Sequence, residues 1–235
     1  MADRPILFSA PMVRAILREI AAPGTGKTQT RRLLNVDPAW HLDQRRRAAA
    51  EAGHYWFTED LDMPGGLHVV PRFAPGDRLW VREAWCLDAQ MDHVAPSKCS
   101  PYEPRGYPAN DWIIEPACMM IRAGKLRPGI HMPRWASRLT LHVTDVRVQR
   151  LQDISEDDAR AEGIERLKSG RGYYDHTVSK GAVRAGIWHH KATDAFEVLW
   201  DSLNAERAPW ASNPWVVAVT FRPVLTNIDS EEGQA

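Results

Sequence analysis

The amino-acid sequence predicts an α+β fold. Strand-like and helix-like segments succeed one another without a regular βαβ alternation, and no internal repeat is visible. The plainest long strand, LTLHVTD, alternates like a half-exposed antiparallel strand rather than a buried parallel one.

Taken in order, PILFS (5–9) reads as a short strand. Pro11 opens a helix that carries Met12, Val13, Ile16, Leu17 and Ile20 on one face. AAPGTG (21–26) breaks it, and KTQTRRLLNV (27–36) runs as a strand up to Asp37-Pro38. Residues 38–53 form a short helix with a solvated Arg45-Arg46-Arg47 run, and 54–72 a loop or hairpin. In PGDRLWVREAW (75–85) a Pro-Gly-Asp turn leads into a strand where Leu79 and Val81 alternate with Trp80 and Arg82. Pro, Gly and Asn punctuate 86–128, which reads as an insertion rather than a second domain. SRLTLHVTDVRVQRL (137–151) is a long half-buried strand. Ser155 caps a helix, EDDARAEGI, with Asp158 at its third position and an end near Gly163. A Gly-rich loop (168–190) precedes an amphipathic helix (192–204) bearing Phe196, Leu199, Trp200 and Leu203, and WVVAVTFRPV (215–224) is a final strand. The expected organisation is one domain over 1–225, with insertions near 37–72, 86–128 and 165–190. A disordered acidic tail follows at 226–235.

Bulk properties narrow the function. Lysine plus arginine equal aspartate plus glutamate, 30 against 30, so no global field draws the chain to a polyanion. Cys86, Cys99 and Cys118 are odd in number and have no CxxC spacing, which fits a reducing compartment. The N-terminus lacks the apolar core of a signal peptide and no run of about 18 apolar residues suggests a membrane span. A cytoplasmic protein with no membrane partner is expected. Ten tryptophans fit either a heavily packed core or an aromatic-lined base pocket.

AAPGTGKT (21–28) matches a relaxed phosphate-loop pattern. Such a loop leaves a buried strand and enters a long helix. Here the preceding segment reads as a helix and the following one as a strand, so nucleotide hydrolysis is set aside.

Read as a loop-to-strand junction, the same residues make different chemistry. Thr28, Thr30 and Arg32 share one strand face, and Gln29, Arg31 and Leu33 the other. Lys27 sits at the turn, where its side chain can fold back over Thr30. That places an amine, a hydroxyl and a guanidinium beside one pocket, and a desolvated lysine can act as base toward a hydroxyl.

Thr25-Gly26-Lys27-Thr28-Gln29-Thr30-Arg31-Arg32 resembles the ASCH signature G-x-K-x-x-[E/T]-x-R, with Thr25 in place of the first Gly. GDRLWVRE (76–83), residues 130–164 and NPWVVAVTF (213–221) are similar to phage and prophage ASCH proteins, and the resemblance covers about half the chain. It implies a PUA-like small mixed β-barrel with flanking helices and long loop insertions, and a cleft accepting nucleobases or RNA. One branch of the family hydrolyses N4-acetylcytidine with a lysine, a threonine and a glutamate, which correspond here to Lys27, Thr30 and Glu162. The implied mechanism has neutral Lys27 taking the Thr30 proton, with Glu162 orienting Lys27 or passing a proton to the leaving amine. Backbone N–H groups near Gly26 would hold the oxyanion, and Arg32 a carbonyl or phosphate. No cofactor and no metal are required.

Without that resemblance, Lys27 and Thr30 are a turn lysine and a strand threonine, and Glu162 a solvated helix residue. Glu83 is a rival carboxylate. Arg78 and Arg82 read as surface strand charges. Trp80, Trp85 and Trp135 read as core or pocket wall, with Trp135 in MPRWASR the candidate for base stacking. The histidines, His131, His142, His189 and His190 among them, have no metal-ligand spacing. Two other readings share the cleft: a non-catalytic reader of RNA or of a modified base, and a ribonuclease.

Overall fold

The computed structural model describes residues 1–62, 66–110, 113–115, 120–175 and 188–230, and over these the protein is α+β. In chain order the elements are β1 (Asp3–Leu7), α1 (Ala10–Ala21), β2 (Gln29–Leu33), β3 (His41–Leu42), α2 (Arg47–Glu51), β4 (Tyr55–Thr58) and β5 (Leu67–Val69). They continue with β6 (Arg78–Arg82), β7 (Cys86–Leu87), β8 (Arg105–Tyr107), β9 (Ile113–Glu115) and β10 (Thr140–Arg150). The last are α3 (Glu156–Ala161), β11 (Glu165–Arg166), β12 (Tyr173–Tyr174), α4 (Ala192–Asn204) and β13 (Trp215–Val224). No helix among the described residues is long and apolar enough to cross a membrane.

The chain divides into two compact units. Unit one comprises Met1–Thr25, Asp77–His142 and Arg222–Ala235, and unit two comprises Gly26–Gly76 and Val143–Phe221. The backbone passes from one to the other four times, so no single linker stretch marks a boundary in the sequence.

In unit one, β1 runs parallel to β6 from Asp3↔Arg78 to Leu7↔Arg82, and β10 pairs antiparallel with β6 through Thr140↔Trp80 and Leu141↔Leu79. Leu79, Val81, Leu139 and Leu141 are buried, as their alternation requires. Trp80 and Trp85 are core residues as well. Arg78, expected at the surface, is instead buried against Asp3, with its Nε and Nη2 each 2.8 Å from a carboxylate oxygen. In unit two, β13 pairs antiparallel with β2 from Val216↔Leu33 to Thr220↔Gln29. Val216, Val217, Ala218 and Val219 are all buried, the mark of a strand covered on both faces. α4 lays Phe196, Leu199 and Trp200 onto Val216, together with Leu151, Ile154 and Ile164.

The strand order is β1-β6-β10 in unit one and β10-β13-β2 in unit two, with β10 and β13 continuing through both. Among the described residues this order is open. The closed small barrel implied by the resemblance is therefore not formed, because no ladder joins the first strand of the order to the last.

The segments read as insertions carry structure of their own. β3-β4-β5 forms a sheet in unit two and β7-β8-β9 one in unit one, over clusters built on Tyr55, Phe57 and Trp215 and on Trp85, Leu87 and Tyr107 respectively. Residues 38–53 are a short helix only at α2. The arginine run before it is partly engaged, since Arg45 Nε donates to Asp43 at 2.8 Å and Arg46 lies 4.7 Å from the Trp56 ring centre. The start of the acidic tail is ordered as well: Ile228 is buried and the Asn227 side-chain amide donates to the carbonyls of Arg134, Trp135 and Ser137. Cys86 and Cys99 are buried free thiols, each pushed up in pKa by burial. Cys118, residues 176–187 of the expected Gly-rich loop and residues 231–235 of the tail lie outside the described residues.

Ser155 caps α3 as its sequence position demands, its Oγ accepting the Asp158 N–H at 3.0 Å. Ser155→Ala is expected to cost about 1 kcal/mol of stability, read as a lowered urea midpoint. An unchanged midpoint would show that the end of α3 is held by tertiary contacts alone.

Candidate functional site

The site grows from two chain turns in unit two. At the first, the backbone leaves Gly26 and enters β2. Thr28 N–H donates to Ala161 O at 2.8 Å and Phe221 N–H donates to Thr28 O at 2.8 Å, which seats the start of β2 between α3 and β13. At the second, α3 ends. Glu162 is its C-cap residue, and Gly163 follows with φ of +101°, a left-handed conformation that glycine adopts without strain.

These turns bring Lys27 and Glu162 together across 135 residues of sequence. Lys27 Nζ lies 2.6 Å from Glu162 Oε2 and also donates to the Glu162 backbone carbonyl at 2.8 Å. Both residues are buried, Lys27 at 0% exposure and Glu162 at 3%. The expectation of a solvated helix glutamate does not survive this burial, because the C-cap position faces inward onto β2.

Arg31 holds the other carboxylate oxygen. Its Nη1 donates to Glu162 Oε1 at 3.1 Å and to Gln29 Oε1 at 2.6 Å, while Nη2 donates to Asp158 Oδ2 at 2.9 Å. Gln29 Nε2 donates to Asp158 Oδ1 and to Thr220 Oγ1, each at 3.1 Å. Arg147 adds a bond to Asp158 Oδ1 from the exposed side, and the Arg31 guanidinium lies 5.7 Å from the Phe196 ring centre.

Electrostatics follows from this arrangement. Burial pulls the Lys27 amine below its ordinary value, Glu162 opposes that, and the charges of Arg32 and Arg31 reinforce it. Lys27, Arg31 and Arg32 all act on Glu162, and an arginine does not give up its proton. Lysine is therefore the member that can become neutral. Burial pushes Asp158 up, but Arg31, Gln29 and Arg147 outweigh it and hold the carboxyl below its usual range. Such a cluster can move a proton between amine and carboxylate and can stabilise negative charge nearby. Among the described residues no group of three His, Cys, Asp or Glu side chains is placed to hold a metal ion.

The other residues singled out by sequence fall as follows. Thr30 is buried on β2 opposite Val219, and no described hydrogen bond joins its hydroxyl to Lys27. Strand alternation sets Thr30 and Arg32 on the reverse face from Gln29 and Arg31. The guanidinium bonded to Glu162 is thus that of Arg31, while Arg32, expected to meet a carbonyl or phosphate, lies on the other face. Arg32 is half-buried, and burial pulls its guanidinium down while Glu162 pulls it up. Gly26 is buried beside Lys27 in the chain. Glu83 belongs to unit one, where Arg138 grips it through two bonds of 2.9 and 3.1 Å. Trp135, also in unit one, packs edge-on against Trp85 with ring centres 5.9 Å apart and carries Arg105 at 5.6 Å. Gln29, Arg31 and Asp158 escaped notice because nothing in their local pattern separates them from strand and helix surface residues. The parity of 27, 29 and 31 was the available signal.

Comparison of the chain with models of protein families, with curated proteins and with solved structures returns no match.

Removing one partner of a buried pair strands the other. Lys27→Met is expected to lower stability by about 3–5 kcal/mol, and Lys27→Met with Glu162→Leu to recover most of that loss, measured by urea denaturation. A double variant no better than the single one would show that the two side chains are not coupled. The pH dependence has a definite sign. An unfolded lysine keeps its proton up to about 10.5, whereas folded Lys27 releases it at lower pH. Within that window the unfolded chain binds more protons, so folding stability rises with pH. Wild type should therefore gain stability relative to Lys27→Met as pH climbs toward 10.5, and a gap that stays constant contradicts the lowered value.

Proposed function

We propose that the protein is a metal-independent amidohydrolase that removes the acyl group from an N4-acylated cytosine nucleoside such as N4-acetylcytidine. One observation carries this reading. A fully buried lysine amine, lowered in pKa, lies 2.6 Å from a buried carboxylate, and its residue and that of its partner are the two that the ASCH resemblance assigns as amine and acid. On the same reading, the open α+β scaffold is an elaborated form of the PUA-like fold.

The chemistry runs as acyl transfer. Neutral Lys27 Nζ accepts the Thr30 hydroxyl proton while Oγ1 bonds to the acyl carbon. The carbon–N4 bond then breaks, and N4 leaves with a proton relayed from Lys27 or Glu162. Water, deprotonated by the same amine, cleaves the Thr30 ester and releases the carboxylic acid. Nζ is bonded to Glu162 on the side of β2 that Arg31 faces, so the first step needs Nζ to leave the carboxylate and reach Thr30 Oγ1. Arg31 and Asp158 are positioning residues here, keeping the Glu162 carboxylate in place while Nζ moves.

The test is release of acetate and cytidine from N4-acetylcytidine by purified protein. Thr30→Val, which keeps the side-chain shape, should abolish turnover, and Glu162→Gln should lower kcat by roughly 100- to 10,000-fold. Turnover that survives Thr30→Val removes the nucleophile. Saturable, salt-sensitive RNA binding without any turnover would point to a reader module instead, and breakdown of generic RNA without added metal to a ribonuclease.

A further inference from the structure

Four arginines are buried among the described residues: Arg31, Arg78, Arg127 and Arg138. Three of them face carboxylates, Arg31 on Glu162 and Asp158, Arg78 on Asp3, and Arg138 on Glu83. Arg127, in unit one, has none. It is 6% exposed, and its Nη2 donates to the backbone carbonyls of Met91 and Val94 at 2.9 and 3.3 Å. Its Nε has no acceptor. Two carbonyl dipoles satisfy hydrogen-bonding capacity but do not neutralise a full charge, and a desolvated unpaired cation is costly to keep.

No described carboxylate forms an ion pair with it. Arg127 is bridged to Trp85 by Arg127 N–H to Trp85 O at 2.7 Å and Trp85 N–H to Arg127 O at 3.1 Å, and the Trp85 indole N–H is itself buried without an acceptor. Asp88 accepts the backbone N–H groups of Gln90, Ile121 and Arg122. Asp92 accepts the Lys125 N–H. Neither carboxylate bonds the Arg127 guanidinium, whose described partners are carbonyls.

Arg127 also lines a cavity of about 510 Å³. The polar side chains around that cavity are those of Ser97, Lys125, Arg127 and His131, with prolines and Leu126 between them. All four can donate a hydrogen bond and none is acidic. Lys125 and His131 are exposed and Arg127 is buried, so the lining combines an exposed ammonium and imidazole with a buried arginine.

We propose that this cavity binds the phosphate group of a small phosphomonoester. Two positive charges with a hydroxyl and an imidazole match a dianion with three acceptor oxygens better than a single carboxylate. The volume leaves room for a body of nucleotide size beyond the phosphate. The site shares no residue with the Lys27 site and stands whether or not that site hydrolyses anything.

Calorimetric titrations of the full chain at low ionic strength test it, with inorganic phosphate, cytidine monophosphate and cytidine as probes. Phosphate and the nucleotide should bind, cytidine should give no heat that depends on Lys125, and added salt should weaken the bound probes. Lys125→Glu, an exposed change that leaves the fold intact, should weaken both by at least roughly tenfold, the loss of one charge-assisted hydrogen bond. Arg127→Gln should remove binding, with circular dichroism confirming the fold. A nucleotide much tighter than phosphate identifies a nucleotide site, and equal affinities a site for the free anion. No binding of either up to about 10 mM, or binding indifferent to Lys125→Glu, overturns the proposal.

Discussion

The approach of α3 to the start of β2 is organised around one contact, that between the Lys27 amine and the Glu162 carboxylate. Neither group could stay desolvated alone, so the end of α3 and the entrance to β2 must be held together wherever the chain is folded. The surrounding bonds are layered on that constraint. Arg31 takes the second oxygen of Glu162, Asp158 takes the second nitrogen of Arg31, and Gln29 ties Asp158 to β13 through Thr220. The backbone bond from Thr28 to Ala161 runs alongside and fixes the same approach. With more positive than negative side chains in the cluster, the amine is the only cation there able to release its proton, which is what a base buried away from water requires.

Unit one solves its buried charges differently. Glu83 and Arg138 neutralise each other, and the Arg138 guanidinium lies 4.0 Å from the Tyr107 ring centre. The Tyr107 hydroxyl donates to Ala136 O at 2.7 Å and accepts from Arg105, and burial pushes its pKa well above the usual tyrosine range. Each oxygen of Glu83 is held by Arg138, so this network ties the loop segments together. Against that background Arg127 stands apart, since among the buried arginines of the described residues it alone forms no ion pair with a carboxylate.

How far the sequence could be read depended on the length of the element. α4 and β13 have the limits their periodicity marks, Ala192–Asn204 and Trp215–Val224, because ten or more residues display a period clearly. β3, β7, β8 and β9 have two or three residues each, too few to alternate, so β3 is hidden in a segment that reads as helix and the others in one that reads as an insertion. The phosphate-loop pattern could be refused from order alone. Helix, turn and strand follow one another at 10–33, the reverse of strand, turn and helix, and no long helix N-terminus follows Lys27.

The sequence by itself determined the α+β class, the long strands and the cap at Ser155. Each of these rests on interactions between residues a few positions apart, which local pattern records. Only the tertiary structure decided that Lys27 meets Glu162, that Arg31 and not Arg32 braces the carboxylate, and that the sheet stays open. Those outcomes turn on where the chain returns after more than a hundred residues, and on which face of β2 it meets, and neither is encoded in any local stretch.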